Sequence, residues 1–325
     1  MQLYSIPTGN FKLDGGAMFG VVPKSIWQKT NPADETNMCS WAMRCLLIES
    51  GSKLILIDNG IGDKQDKRFF SYYHLHGSDN LEDSLAKYGF TADDVTDVLL
   101  THLHFDHCGG SIVKGPHSST GIPRFKNAHY HCHEKQWNWA VNPNPREKAS
   151  FLKENILPIQ ESGQLKFLSQ SDPILPELEW IDVYGHTEAM VLPLIPYQNT
   201  KLLFMADLVP SIGHLPIPYV MGYDVRPLDT LVEKSEILQK KYFFVGFGFF
   251  CFGESYYYKG AGDKIKQIIK RGYKCYILTE NPEYFYNDFS PEFLTIYEYD
   301  RNYYSYHDKI SIVKKIFKNQ FFKSI

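Results

Sequence analysis

Thr101-His102-Leu103-His104-Phe105-Asp106-His107-Cys108-Gly109-Gly110, entered from the apolar run Val98-Leu99-Leu100, places three histidines and an aspartate within six residues. Four ligand-type side chains at the mouth of a buried strand would repel one another or stay unsatisfied, and a divalent cation is the usual resolution. Side chains two apart on an extended segment point the same way. His102 and His104 can therefore chelate one ion while Asp106 and His107 turn toward a second position. Two later residues fit the same centre: His186 follows a short strand over 180–183, and Asp207 follows another over 202–205. His186 could complete the first position, and the two oxygens of Asp207 could bridge both. Gly109-Gly110 reads as a sharp backbone turn beneath the site, made without a Cβ clash.

Outward from this motif the chain alternates short apolar strands, turns and a few amphipathic helices, an α/β pattern. Cys45-Leu46-Leu47-Ile48 and Leu54-Ile55-Leu56-Ile57 form a hairpin across Glu49-Ser50-Gly51-Ser52, and the second strand closes on Asp58-Asn59-Gly60. A helix over 81–88 leads into the strand over 95–100 that carries the motif. Ligand types at the ends of separate strands can converge on one rim of a sheet, where loops shape a pocket.

The 325 residues suffice for one large domain or two ordinary ones, and 43% hydrophobic content supports a sizeable core. A net charge of -3 gives no general reason to bind nucleic acid or a membrane surface, so the expected partner is a small-molecule substrate. The six cysteines include no CxxC pair, and the opening Met-Gln-Leu-Tyr-Ser lacks a basic and apolar signal segment. A reducing cytoplasm is the expected compartment. The aromatic run over 242–252 contains two glycines and has about half the length of a membrane-spanning helix, so it reads as a buried strand. Near residue 241 the composition changes: 13 of the 22 tyrosines fall in the last 84 residues, where leucine is reduced to Leu278 and Leu294. That break divides the chain into domains at 1–241 and 242–325. In the second, helices are expected over 263–271 and 309–318, and strands over 274–279 and 293–297.

Two adjacent divalent ions would lower the pKa of a shared water until hydroxide exists at neutral pH, and would polarise a substrate oxygen. Hydrolysis then needs no nucleophilic side chain. Asp106 would orient the hydroxide and carry its proton to the leaving group.

His-x-His-x-Asp-His followed by Gly-Gly, with Gly185-His186 about eighty residues later and Ala206-Asp207 after the next strand, resembles the metallo-β-lactamase superfamily of metal-dependent hydrolases. The resemblance covers residues 1 to about 240. It implies an αββα sandwich with a dinuclear site at one edge of the sheets. It also implies two divalent ions, usually zinc, and Asp58 as a structural residue beside them. By the same resemblance His102, His104 and His186 hold one ion, Asp106 and His107 the other, and Asp207 bridges. Gly15-Gly16-Ala17-Met18-Phe19-Gly20 and the segment from Asp207 through His214 to Tyr223-Asp224 are most similar to the lactonase and organophosphate-hydrolase branch. That likeness implies a lactone or another small ester as substrate, with an acyl-homoserine lactone or an organophosphate triester among the alternatives. Dimerisation, common in that branch, is expected by analogy as a homodimer.

Two departures stand out. Many lactonases of the branch carry a tyrosine three residues after the bridging aspartate, where this chain has Pro210; Tyr219 or Tyr223 could serve instead. The family also expects a last histidine after the helix over 228–241. This chain reads Phe249-Phe250-Cys251-Phe252-Gly253-Glu254 there, with Cys251, Glu254 or nothing in its place and His307 too distant. An impaired, metal-binding remnant is therefore the alternative to a working enzyme. Tyr242-Phe243-Phe244-Val245-Gly246-Phe247-Gly248, the stretch 270–279 and Tyr304-Ser305-Tyr306-His307-Asp308-Lys309 give residues 242–325 a less specific resemblance to the first part of a GT-A glycosyltransferase that stops before its Asp-x-Asp, which implies a fragment without transferase activity.

Other histidines are weighed individually. His129, His131 and His133 alternate and read as a partly exposed strand end without a carboxylate partner. His74 and His76 line the pocket entrance or form a packed surface loop. His214, seven residues past Asp207, either faces substrate or does not. Trp137 and Trp139, near Pro143 and Pro145, read as packing.

Overall fold

The computed structural model describes residues 1–115, 121–197, 200–240, 243–245, 275–279 and 294–298. The chain divides into two compact units, Met1–Phe250 and Cys251–Ile325. The first unit holds twelve described strands. In chain order they are β1 (Gln2–Asp14), β2 (Met38–Ser50), β3 (Lys53–Ile57), β4 (Asp97–Leu99), β5 (Ile112–Lys114) and β6 (Gly121–Pro123). They continue with β7 (His129–Cys132), β8 (Leu165–Phe167), β9 (Glu179–Val183), β10 (Met190–Tyr197), β11 (Thr200–Phe204) and β12 (Phe243–Val245). A six-stranded sheet has the order β1-β2-β3-β4-β7-β8, and a four-stranded sheet the order β12-β11-β10-β9.

The strands of the first sheet show why they lie where they do. The first half of β2 alternates, with Cys39, Trp41, Met43 and Cys45 buried, whereas Leu46, Leu47 and Ile48 are buried on both faces. β3 and β4 are buried almost throughout, as central parallel strands are when both faces are covered. Each fully buried aliphatic here contributes about 1.5–3 kcal/mol. The hairpin expected between residues 45 and 57 forms, with Leu46 opposite Ile57 and Ser50 opposite Lys53. β3, β4, β7 and β8 run parallel, so their carboxyl ends share one edge, the usual place for a site in an α/β sheet.

The two sheets share one hydrophobic core, and the helices complete an αββα sandwich. The longer helices are α1 (Gly15–Phe19), α2 (Lys24–Trp27), α3 (Lys67–Tyr73), α4 (Leu81–Ala86), α5 (Phe105–Cys108), α6 (Glu134–Val141), α7 (Lys153–Glu161) and α8 (Pro227–Leu238). None of the described helices is long and apolar enough to cross a membrane.

The strand β12 stays with the first unit because Phe243, Phe244 and Val245 pair in parallel with Leu202, Leu203 and Phe204 of β11. In the second unit, β13 (Cys275–Thr279) and β14 (Leu294–Glu298) pair in parallel, close to the strands expected there. The helices expected over 263–271 and 309–318 lie outside the described residues, as does the rest of the segment likened to a transferase.

One expectation is corrected at β7. His131 does have a carboxylate partner: it is buried, and its Nε2 lies 2.8 Å from Asp97 Oδ1, whose other oxygen accepts from Lys53 Nζ at 2.7 Å and Thr96 Oγ1 at 2.8 Å. His129 is exposed, and His133 caps α6, its Nδ1 accepting from the Lys135 N–H. Burial disfavours the Asp97 carboxylate, yet the bonds from His131, Lys53 and Thr96 outweigh it and hold the carboxyl below its usual range. A depressed carboxyl contributes stability above its unfolded value of about 4 and loses it as the pH falls through the folded value. Asp97→Asn should therefore cost about 2 kcal/mol at neutral pH, and the gap in melting temperature to wild type should close on acidification from pH 5 toward 3. Thermal melts of both proteins across that range measure it; a gap independent of pH would contradict the assignment.

Candidate metal centre

Asp58 closes β3 in a left-handed conformation (φ 56°) and is fully buried. Its carboxylate accepts from the Thr101 N–H at 2.9 Å, from Thr101 Oγ1 at 2.9 Å, and from His107 Nδ1 at 2.8 Å. The end of β3 therefore fixes the start of the loop that follows β4. From there His102 and His104 point one way while Leu103, also fully buried, points into the core, as the two-residue alternation requires. α5 then turns the chain so that His107 returns beside His102, their rings 4.0 Å apart.

The second sheet supplies the rest. His186 follows β9, and Asp207 sits in the short helical turn Ala206–Leu208 after β11. The Val191 N–H of β10 donates to Thr101 O at 2.9 Å and ties the two sheets together at the site. Two groups of ligand atoms result, each within 4.8 Å of one another: His102, His104 and His186, and His102, His107 and Asp207. His186 Nε2 lies 3.1 Å from His104 Nδ1 and 3.4 Å from Asp207 Oδ2, whereas Asp207 Oδ1 lies 3.1 Å from His107 Nε2. Asp207 thus turns one oxygen to each half of the cluster. Asp106 stands at its rim, with Oδ2 3.7 Å from His107 Nε2, and belongs to neither three-ligand group. The side chains of Asp106 and Asp207 each keep 14% exposure, which opens the centre to a small molecule.

Three of the four histidines are bonded from outside through the other ring nitrogen, and the fourth, His104, turns its Nε2 toward a carboxylate without a hydrogen bond to it. His102 Nδ1 faces Thr101 Oγ1 at 3.1 Å, His107 Nδ1 faces Asp58, His186 Nδ1 faces Asp224 Oδ1 at 3.0 Å, and His104 Nε2 lies 3.6 Å from Glu147 Oε1. An outer acceptor that takes the ring N–H, a carboxylate at His107 and His186 and a hydroxyl at His102, leaves the inward nitrogen as the one to face a cation. His102 Nε2 is buried with no hydrogen-bond partner among the described residues. Burial pushes His102 well below the usual imidazole value, helped by His107, His104 and His186, and burial lowers His104 as well. At His107 burial is outweighed by Asp207, Asp106 and Asp58, and at His186 by Asp224 and Asp207, so both are raised. Burial raises Asp106, whereas His107 and His186 overcome burial and hold Asp207 well below the carboxylate range. Four imidazoles converging with carboxylate oxygens make a donor set suited to divalent cations, zinc among them, and a bound cation would take the place of the protons that the carboxylates favour on His107 and His186.

His214 is core rather than pocket: it is fully buried, stacked on Phe19 at 4.2 Å, and bonded at Nδ1 to Ser211 Oγ and at Nε2 to Met18 O, both at 2.8 Å. Tyr219 packs edge-on against Phe19, whereas Tyr223 is exposed and shares surroundings with Tyr73 and Asp106. His76 bonds Ser40 Oγ at 2.7 Å, and His74 caps α3, so both belong to a packed surface loop. Trp137 is core, and Trp139 donates to Glu147. Cys251, Glu254 and His307 lie outside the described residues. Sequence reasoning missed Glu147 and the roles of Thr101 and Asp224; the latter two lay in segments already singled out, Glu147 did not.

The family model of the metallo-β-lactamase superfamily matches residues 44–246, more than half of the chain. The chain belongs to the metallo-β-lactamase superfamily. Within this superfamily it is 23% identical over 261 residues to an N-acyl homoserine lactonase of Bacillus cereus, covering 76% of this chain and 92% of the relative. It is 28% identical over 196 residues to the N-acyl homoserine lactonase of Bacillus thuringiensis, over 57% of this chain and 66% of that one. Among solved metallo-β-lactamase folds, a probable metal-dependent hydrolase from Staphylococcus aureus superposes with a TM-score of 0.68 at 28% identity, covering 76% of this chain and 88% of the other. AidC, a dizinc quorum-quenching lactonase, superposes with a TM-score of 0.62 at 21% identity over 75% and 86% of the two chains, a likeness of fold.

Proposed function

We propose that this member of the metallo-β-lactamase superfamily, a metal-dependent hydrolase by family and by site, cleaves small esters and above all lactones, using two divalent ions of the zinc type. The observation that carries the reading is Asp207, set between two histidine groups with one oxygen toward each. Bound divalent ions would supply an activated water and a Lewis acid for the substrate carbonyl. His102, His104 and His186 would hold one ion, and His107, Asp207 and Asp106 the other.

The rim residues act on the substrate. Asp106, at the rim of the cluster, would take a proton from the attacking water and pass it to the departing alkoxide oxygen, a role that its partial exposure beside His107 supports. Phe105, next to it, packs against Tyr73 at 4.7 Å and Phe69 at 5.4 Å between ring centres, an apolar wall suited to the acyl part of an ester. The relatives named as N-acyl homoserine lactonases support the lactone class.

The zinc-loaded full chain, assayed on N-acyl homoserine lactones, simple γ-lactones and a phosphotriester, tests this. Lactone hydrolysis abolished by a chelator, and lowered roughly 10²-fold or more in Asp106→Asn, is the expected result. A preference for the phosphotriester would overturn the substrate class. Loaded protein that turns over none of the three would leave the impaired remnant as the better reading.

A further inference from the structure

The segment from Asn144 to Phe151 wraps the outer side of His104. The Ser150 carbonyl accepts from the Phe105 N–H at 3.0 Å, and the Phe151 ring lies 4.7 Å from the His104 ring. Glu147, only 3% exposed, turns Oε1 toward His104 Nε2 and accepts there from Thr187 Oγ1 at 2.6 Å, the residue after His186. Its other oxygen accepts from Asn144 Nδ2 at 2.6 Å and Trp139 Nε1 at 2.7 Å. The neighbouring Arg146 donates to the carbonyls of Gly222 and of Asp224, and Asp224 in turn holds His186 Nδ1. One turn, folded on Asn144 Oδ1 through the N–H groups of Arg146 and Glu147, therefore reaches two histidines of the same group along separate routes.

We propose that this turn is the positioning element of the His102–His104–His186 site, and that Glu147 receives the Nε2–H of His104 whenever Nδ1 engages a cation. A carboxylate at that place fixes the tautomer and the ring plane and raises the basicity of Nδ1. Glu147→Gln separates this from mere packing. Both groups bonded to Oε2 are donors, so the amide must keep its oxygen there and turn its NH2 toward His104 and Thr187. An NH2 facing Nε2 favours the tautomer with hydrogen on Nδ1, which cannot ligate.

The inference rests on the metal-site reading above, and zinc titration of the full chain against a chromophoric chelator distinguishes the two. Wild type that binds no zinc ends that reading and this one with it. With wild type binding, Glu147→Gln should lose between tenfold and a hundredfold in zinc affinity and change the visible spectrum of the cobalt-loaded protein. Asp97→Asn, a buried carboxylate elsewhere, should lower the melting temperature and keep zinc affinity. Unchanged affinity and spectrum in a folded Glu147→Gln would overturn the proposal. Should that variant not fold, Trp139→Phe, which removes one donor from Oε2, should still weaken zinc binding several-fold, and wild-type affinity there would overturn it equally.

Discussion

Asp207→Asn is expected to lower kcat/KM for lactone hydrolysis by about 10³-fold or more, some 4 kcal/mol of transition-state stabilisation, and to reduce the zinc retained after gel filtration. The argument is geometric. Oδ1 lies 3.1 Å from His107 Nε2 and Oδ2 3.4 Å from His186 Nε2, so both oxygens are committed. An asparagine must turn an NH2 toward one half, setting hydrogens where lone pairs converge. The carboxylate charge that balances His107 and His186 disappears at the same time. Kinetics and metal analysis on one preparation check both effects, and near-wild-type turnover would remove Asp207 from the centre.

Gly109→Ala should give the largest loss of stability: at least about 3 kcal/mol, or roughly 6–12 °C in melting temperature for a unit of this size. A Cβ there would lie 2.1 Å from the Ile61 carbonyl oxygen and 2.6 Å from its carbon, both backbone atoms. The backbone there has little room to retreat. The Asn59 N–H donates to His107 O, and the Gly110 N–H to Gly60 O, each at 2.9 Å. This revises the reading of Gly109-Gly110 as a sharp turn. Gly109 is helical, with φ -62°, and its requirement is the close approach of the loop after β3. Gly51→Ala, where φ is 59° and no atom lies within 4 Å of an added Cβ, should cost only about 1–2 kcal/mol. Comparable losses in the two variants, measured by thermal denaturation, would contradict the close-approach account.

The motif was legible because a strand, a two-residue alternation and one helical turn are local rules, and they bring His102, His104 and His107 together without knowledge of the rest. His186, Asp207 and Asp58 were legible because each closes a strand. Glu147 was not: its contacts run to Trp139, Thr187 and His104, and a lone glutamate in a loop has no spacing to betray it. β1 was missed because its pairing with β2 shifts register between Pro7 and Asn10, which breaks the period of two. β10 was hidden by Pro193 and Pro196, residues that argue against a strand. Its pairing explains the tolerance: residues 190–193 pair only with β9 and residues 195–197 only with β11, Leu194 pairing with both, so each proline sits in a locally edge-like stretch.

The bond from Val191 to Thr101, with ligands drawn from both sheets, has a consequence for the interior as well. The distance between opposing layers sets the distance between ligand atoms, and displacements near 1 Å can cost on the order of 10² in rate. Side-chain volume between the sheets is thus part of the reactive geometry. Substitutions that keep the core apolar but alter its thickness will be felt as lost turnover in a protein that still folds, so the tolerance of this chain to sequence drift is narrower in its core than its stability alone implies.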